Sequence, residues 1–226
     1  MKIIILLLAL FSIIFLSAVN QSELVYEQLA DDKGWENLKE DGATFFRRKP
    51  MTGFDLYALE IRRVTSIEPE AVYAVLLDVA SYGEVLGDNK YLEAEEVSRD
   101  TVKITGYQYA RIPLIPNRHY LFDFDLTDYR RSLQEKQNRL AWKLLDPEGE
   151  FKKFVAAKDL ENNNPIYIRN GAGIWMIREI SPGRYENIYR LYIDPAGWMP
   201  GWLVNSFNVK NLKQLFDQVL SAAAKG

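Results

Sequence analysis

Residues 120–127 read Tyr-Leu-Phe-Asp-Phe-Asp-Leu-Thr. Side chains alternate across a strand. Tyr120, Phe122, Phe124 and Leu126 therefore point one way, and Leu121, Asp123, Asp125 and Thr127 the other. This is the pattern of an antiparallel sheet with one buried face. Such a face needs a cover, and the end of the chain supplies one. From Pro200 to Ala224 no further proline occurs, and Val204, Phe207, Leu212, Leu215, Phe216, Val219 and Leu220 recur at helical spacing. A long terminal helix is the expected lid.

The rest of the chain fits between these two features. A short helical lead-in is expected over 26–40. Strands over 43–48 and 54–65 form a hairpin, with turn signals at Asp41-Gly42 and at 50–53. Ser66 is read as the N-cap of a helix. Pro69 and Glu70 stand in its first turn, Val72, Val75, Leu76, Val79 and Tyr82 form its apolar face, and Gly83 ends it. Strands are then expected to dominate for about a hundred residues, over 91–97, 101–112, 120–127, 139–145, 166–180 and 185–193, the last two a hairpin across Ser181-Pro182-Gly183-Arg184. No internal repeat and no Pro/Gly/Ser linker divides the chain.

Composition narrows the function. The 226 residues are 48% hydrophobic and 26% charged, ordinary values for a globular chain. They contain no Cys, which excludes disulfides, thiolate metal sites and a cysteine nucleophile. A net charge of −3 argues against a nucleic-acid partner. Lys2, the apolar run 3–16 broken only by Ser12, and Ser17-Ala18-Val19 together read as a signal peptide. The alternative is an uncleaved N-terminal anchor, but fourteen helical residues reach only about 21 Å, short of a bilayer core of about 30 Å. The expected organisation is a signal peptide over 1–18 and one domain over 19–226, periplasmic or secreted.

Little in the residues points to covalent chemistry. His119 is the single histidine, no Gly-x-Ser-x-Gly elbow occurs, and a loop histidine with a structural hydrogen bond is the plainer reading. Asp123, Asp125 and Asp128 lack the glycine and glutamate of a calcium loop and read as a solvated face. Gly171 and Gly173 sit in a strand pattern, where glycine marks a bend or a close approach. Arg169 is placed on the outer face. Trp198, Met199 and Trp202 read as a plug or as a membrane-interface cluster. The aromatics Tyr120, Phe122, Phe124, Trp142, Trp175 and Tyr189 could line a tunnel or fill a solid core, and composition alone favours the core.

Several runs bear on that choice. Residues 189–205, Tyr-Arg-Leu-Tyr-Ile-Asp-Pro-Ala-Gly-Trp-Met-Pro-Gly-Trp-Leu-Val-Asn, resemble the stretch that opens the last helix of START-type lipid-binding domains. Pro113 through Asn117-Arg118-His119-Tyr120 is similar to that family's proline-led loop, with His119 where an acidic residue is usual. Trp35 with Asp41-Gly42 and Arg47-Arg48, Leu76-Leu77-Asp78 with Tyr82, and Gly171-Ala172-Gly173-Ile174-Trp175 follow in family order. The resemblance covers the chain from about Trp35 onward and suggests an exported bacterial-type member. It implies an α+β helix-grip fold, a curved antiparallel sheet wrapped around the C-terminal helix with an internal apolar cavity. It implies a lipid-like hydrophobic ligand, transient membrane contact, and possible gates at 113–117 and at the start of the last helix. The candidate ligand-binding residues are then Tyr120, Phe122, Phe124, Trp142, Trp175, Tyr189, Leu203, Phe207 and Leu215. No catalytic residue, metal or cofactor is assigned. Because the wider superfamily includes polyketide cyclases, a cyclase or hydrolase acting on a hydrophobic substrate is the alternative. Its candidate groups are Tyr107, Tyr109, Arg111, His119 and Arg169.

Overall fold

Gly42 and Gly183 both have positive φ, +61° and +68°, and each closes a hairpin at a turn marked in the sequence. The computed structural model describes residues 21–87, 92–111, 115–149, 151–162, 164–197 and 201–226, with the backbone alone over 201–208. The signal-peptide reading, Trp198, Met199 and part of the 113–117 loop lie outside the described residues, as do the side chains of Trp202, Leu203 and Phe207.

The elements in chain order are α1 (Gln21–Ala30), β1 (Glu36–Asp41), β2 (Thr44–Pro50), β3 (Tyr57–Thr65), α2 (Pro69–Leu77), a 3-10 turn (Val79–Ser81) and α3 (Tyr82–Gly87). They continue with β4 (Leu92–Arg99), β5 (Lys103–Ala110), β6 (Arg118–Asp125), α4 (Leu126–Gln134), β7 (Arg139–Leu144), α5 (Phe151–Glu161), β8 (Ile166–Tyr167), β9 (Gly171–Ser181), β10 (Arg184–Ile193) and α6 (Gly201–Ala223). One sheet holds all ten strands in the order β1-β2-β3-β10-β9-β7-β6-β5-β4, with β8 beside β6. Every pair is antiparallel except β6–β8. The fold is the expected α+β helix grip.

Both faces of the sheet are covered. On the concave side, α6 packs against α2, α3 and β3, and Phe216, Val219 and Leu220 enter the main core with Phe46, Ile61 and Trp175. On the convex side, Val25 and Leu29 of α1 pack with Ala172, Ile174, Met176 and Ile188. Val155 of α5 packs with Tyr107, Tyr109 and Leu121. Arg190, buried in β10, anchors the end of α1. It donates to Glu60 (2.8 Å), to the Leu29 carbonyl (2.9 Å) and to Asp32 (2.5 Å). Glu60, fully buried, also accepts from Arg47 and Arg62.

Several local expectations are corrected. Two helices, α4 and α5, interrupt the stretch in which strands were expected to dominate. Asp125 ends β6, paired with Lys103, and does more than face solvent: its carboxylate caps α4, accepting from the Thr127 and Asp128 amides (2.9 and 2.8 Å). The helix is stabilised by that cap, so no apolar stripe announced it. α5 buries only Val155, which is too little for a periodic signal. Ser66 does not cap α2; Glu68 occupies that position without a side-chain bond, and Pro69 begins the helix. The helical run breaks at Asp78 and restarts, so Gly83 lies inside α3 instead of ending the helix. The lead-in helix lies at Gln21–Ala30, and β1 takes the residues after it. The expected strand over 166–180 is two strands, β8 and β9. Asp128 is gripped by Arg139 (3.0 Å) and Arg131, and among the described residues no group of three potential ligands forms a metal cluster.

Gly106 and Gly173 have one role in common. Gly106 pairs with Phe122 and Gly173 with Trp142, each on a neighbouring strand. A Cβ on Gly173 would fall inside the Trp142 indole, and one on Gly106 inside the Phe122 ring and 2.9 Å from Val79. The aromatic rings therefore lie across the sheet over a bare backbone. Gly173→Ala should force Trp142 to shift and lower stability by about 1–3 kcal/mol, read from urea unfolding midpoints. An unchanged midpoint would contradict this packing.

Candidate ligand-binding site

The sheet register sets the cavity wall. Phe124, Trp142, Gly173, Leu191 and Leu59 form one row across adjacent strands. Leu140, Trp175, Tyr189, Ile61 and Phe46 form a second. Tyr120, Phe122 and Phe124 stand on the same face of β6. These rows face a cavity of about 280 Å³, closed on its other side by Leu76, Tyr82 and Leu86 of α2–α3 and by Leu212 and Leu215 of α6. That volume lies near the lower end for small-molecule sites, about 300–1,000 Å³.

Tyr120, Phe122, Phe124, Trp142, Trp175, Tyr189 and Leu215 all line this cavity. Leu203 and Phe207 belong to the first turns of α6, where side chains lie outside the described residues. Sequence reasoning missed Leu76, Tyr82, Leu86, Gln108, Arg118, Leu140, Leu191 and Leu212 as wall residues. Alternation along β5 could have found Gln108, which shares its face with Gly106. Arg118 was quoted within the Asn-Arg-His-Tyr run but given no role.

The aromatic wall is tightly arranged. Trp175 stacks between Tyr189 and Phe216, with centroids 5.0 Å away on each side. Phe122 meets Phe124 edge-on at 5.5 Å and Trp142 at 6.5 Å. Such pairs add to simple burial and fix ring orientation. A few polar groups interrupt the wall. Trp142 Nε1 donates to the Tyr189 hydroxyl (3.1 Å), and the Tyr120 hydroxyl donates to Gln108 Oε1. The Tyr82 hydroxyl donates to the Leu76 carbonyl. Trp175 Nε1 is buried with no hydrogen-bond partner.

Arg118 stands at one end of the cavity, fully buried. Its Nε donates to the Pro195 carbonyl (3.1 Å), Nη2 to the Ala196 carbonyl (3.2 Å) and Nη1 to the Pro116 carbonyl. It thus ties the β5–β6 loop to the segment leading into α6. Burial lowers its pKa, but a guanidinium stays charged at neutral pH.

The groups considered for covalent chemistry do not converge here. His119 is a β6 residue, not a loop residue, and points to the convex face. Its Nδ1 meets the Tyr107 hydroxyl (3.2 Å), while Nε2 lies 3.1 Å from Asp159 without hydrogen-bond alignment. Burial lowers its pKa and Asp159 opposes that shift. Tyr107 and Tyr109 belong to the same outer cluster. Arg169 is exposed and pairs with Asp146 (2.8 Å), and Arg111 pairs with Glu93.

Burial raises the pKa of Tyr82, Tyr120 and Tyr189 above the ordinary 10.0, and neighbouring phenols add to each shift at Tyr82 and Tyr189. In the unfolded chain these phenols ionise near 10. Above that pH the native state holds more protons than the unfolded state, so stability must fall as pH rises. Each phenol contributes a slope of up to about 1.4 kcal/mol per pH unit. Urea midpoints should drop steeply between pH 10 and 11, with tyrosinate absorbance from these residues appearing only on unfolding. Tyrosinate formed at these three positions in folded protein, with no loss of stability, would contradict the buried geometry.

No protein-family model matches the sequence, and no curated protein matches it. Solved structures do. A STAR-related lipid transfer protein from Xanthomonas axonopodis superposes with a TM-score of 0.65 at 16% identity, covering 84% of this chain and 99% of that one. Human StAR-related lipid transfer protein 5 gives 0.65 at 14% identity, covering 90% and 95%. The Zhui aromatase/cyclase from Streptomyces sp. R1128 gives 0.51 at 12% identity, covering 74% and 93%. Together with the sheet order and the terminal helix, these likenesses give the chain the START-type helix-grip fold.

Proposed function

We propose that this protein binds one hydrophobic small molecule, of lipid type, in the cavity between the sheet and α6, and carries it between membranes after export. The observation that carries this reading is the cavity itself. Its wall is aromatic and aliphatic over most of its extent, and two of its rings, Phe122 and Trp142, lie over glycines. An apolar ligand entering it gains about 25 cal/mol per Å² of surface removed from water. No covalent step is required. The loop before Arg118 and the segment before α6 flank one end of the cavity, where a passing ligand would require them to part. Likeness to proteins named for lipid transfer supports the reading. Among the described residues no helix is long and apolar enough to cross a membrane. Export rests on residues 1–18.

A second reading, a cyclase or hydrolase acting on a hydrophobic substrate, draws on the likeness to the Streptomyces aromatase/cyclase. Such an enzyme needs acid and base groups converging on the substrate. The described lining offers phenols, amides and Arg118.

Native mass spectrometry of protein produced in an exporting host, purified without detergent and incubated with mixed membrane lipids, tests the proposal. The expected species begins at Val19 and carries one apolar adduct. Leu215→Trp, which fills the cavity, should weaken retention about tenfold, equal to about 1.4 kcal/mol. Retention unchanged by Leu215→Trp, or an empty protein under all conditions, would overturn the binding reading. A chain still beginning at Met1 would overturn export.

A further inference from the structure

The β5–β6 ladder changes character along its length. On the concave face the paired residues run Ala110 with Arg118, Gln108 with Tyr120, Gly106 with Phe122 and Ile104 with Phe124. Each step is about 7 Å. The series begins with a charge, passes through an amide and a phenol, and ends in apolar groups. A wall graded in this way matches an amphiphile lying along it, head at Arg118 and tail toward Phe124.

The sign of the head follows from what is missing. The described lining contains no Asp, Glu or Lys, so Arg118 is its sole formal charge. The chain treats its other fully buried arginine differently, since Arg190 has Glu60 and Asp32 as counter-charges. Arg118 has only three backbone carbonyls, which occupy three of its five N–H groups. A buried charge without a counter-charge is costly. One nearby side chain also favours an acceptor: Gln108 directs its oxygen to Tyr120, leaving its N–H groups over. Ala110, opposite Arg118, is small and leaves space beside the guanidinium.

We infer that the ligand is an amphiphile with an oxyanion head, a carboxylate or a phosphate, held at Arg118 and Gln108 with its chain against Phe122, Phe124 and Trp142. This inference rests on the proposed binding of a hydrophobic molecule in the same cavity and specifies which class of molecule is taken.

The test uses four ligands with one twelve-carbon chain, all below their micelle concentrations. Dodecanoate, dodecyl phosphate, dodecanol and dodecylamine compete for the full mature chain against the neutral fluorescent probe N-phenyl-1-naphthylamine. Both anions should displace the probe at concentrations at least about tenfold lower than the alcohol or the amine. Their order between themselves identifies carboxylate or phosphate as the better head. Arg118→Gln should bring all four within about twofold of one another. Because Arg118 also holds two loops, Gln108→Glu provides an independent variant. It leaves that clasp in place and sets a carboxylate beside the head, so the anions should lose their advantage to the amine. Equal displacement by all four ligands, tighter binding of alcohol or amine to the native chain, or an anion preference that survives both substitutions would overturn the inference and leave hydrophobic binding standing. Failure of the probe itself to bind would remove the underlying reading as well.

Discussion

One helix is too narrow to cover the concave face of this sheet. Nine strands in sequence span eight inter-strand spacings, about 38 Å at roughly 4.8 Å each. A helix with its side chains is only about 10–12 Å across. α6 takes the side near β3 and packs on α2 and α3, while α3 and the 3-10 turn take the side near β4. The strands between them must be covered by their own side chains. Phe122 and Trp142 do this by lying over Gly106 and Gly173. Phe122 meets the helices only through Tyr82, stacked on it at 6.5 Å, and the space left beside these rings is the cavity. The void is thus a consequence of width, curvature and two glycine positions.

A sheet with a cavity on one side needs support on the other. α1 and α5 provide it on the convex face. Arg190 links the end of α1 to Glu60 in β3, and Glu60 gathers Arg47 and Arg62. Removing one member of such a network strands a buried charge, so its register is strongly held. Trp175 and Tyr189 stand on the concave face of β9 and β10, backed by that rigid outer layer. The result is a wall held in place from behind, while Arg118 joins the segment before α6 to the loop before it through hydrogen bonds to the Pro195, Ala196 and Pro116 carbonyls.

The parts of this arrangement that were legible in the sequence are those with long periodic patterns. The alternation at Tyr120, Phe122 and Phe124, the hairpin turns at Gly42 and Gly183, and the helical spacing through Leu212, Leu215 and Phe216 each reflect a burial pattern that repeats. Periodicity could not say whether the aromatic face enclosed space or filled it, because Trp142 has the same sequence signature in either case. Only pairing with Gly173, set by strand order, decides that. α4 was hidden because its cap, Asp125, continues the strand alternation until the last residue. α5 was hidden because Leu160 is largely exposed and Val155 alone is buried. The break at Asp78 carries no proline or glycine to announce it. Arg118 was visible as a residue but not as a site. A buried arginine lacking a carboxylate is recognised only once its surroundings are known.

The central claim is that an alkyl chain occupies the space between Trp142, Phe122 and Leu215. Anomalous scattering from a bromine-substituted fatty acid bound in crystals of the protein locates the alkyl chain directly. The account predicts one bromine peak inside the cavity, within van der Waals contact of those side chains. A peak confined to the outer surface, with the cavity empty, would contradict it.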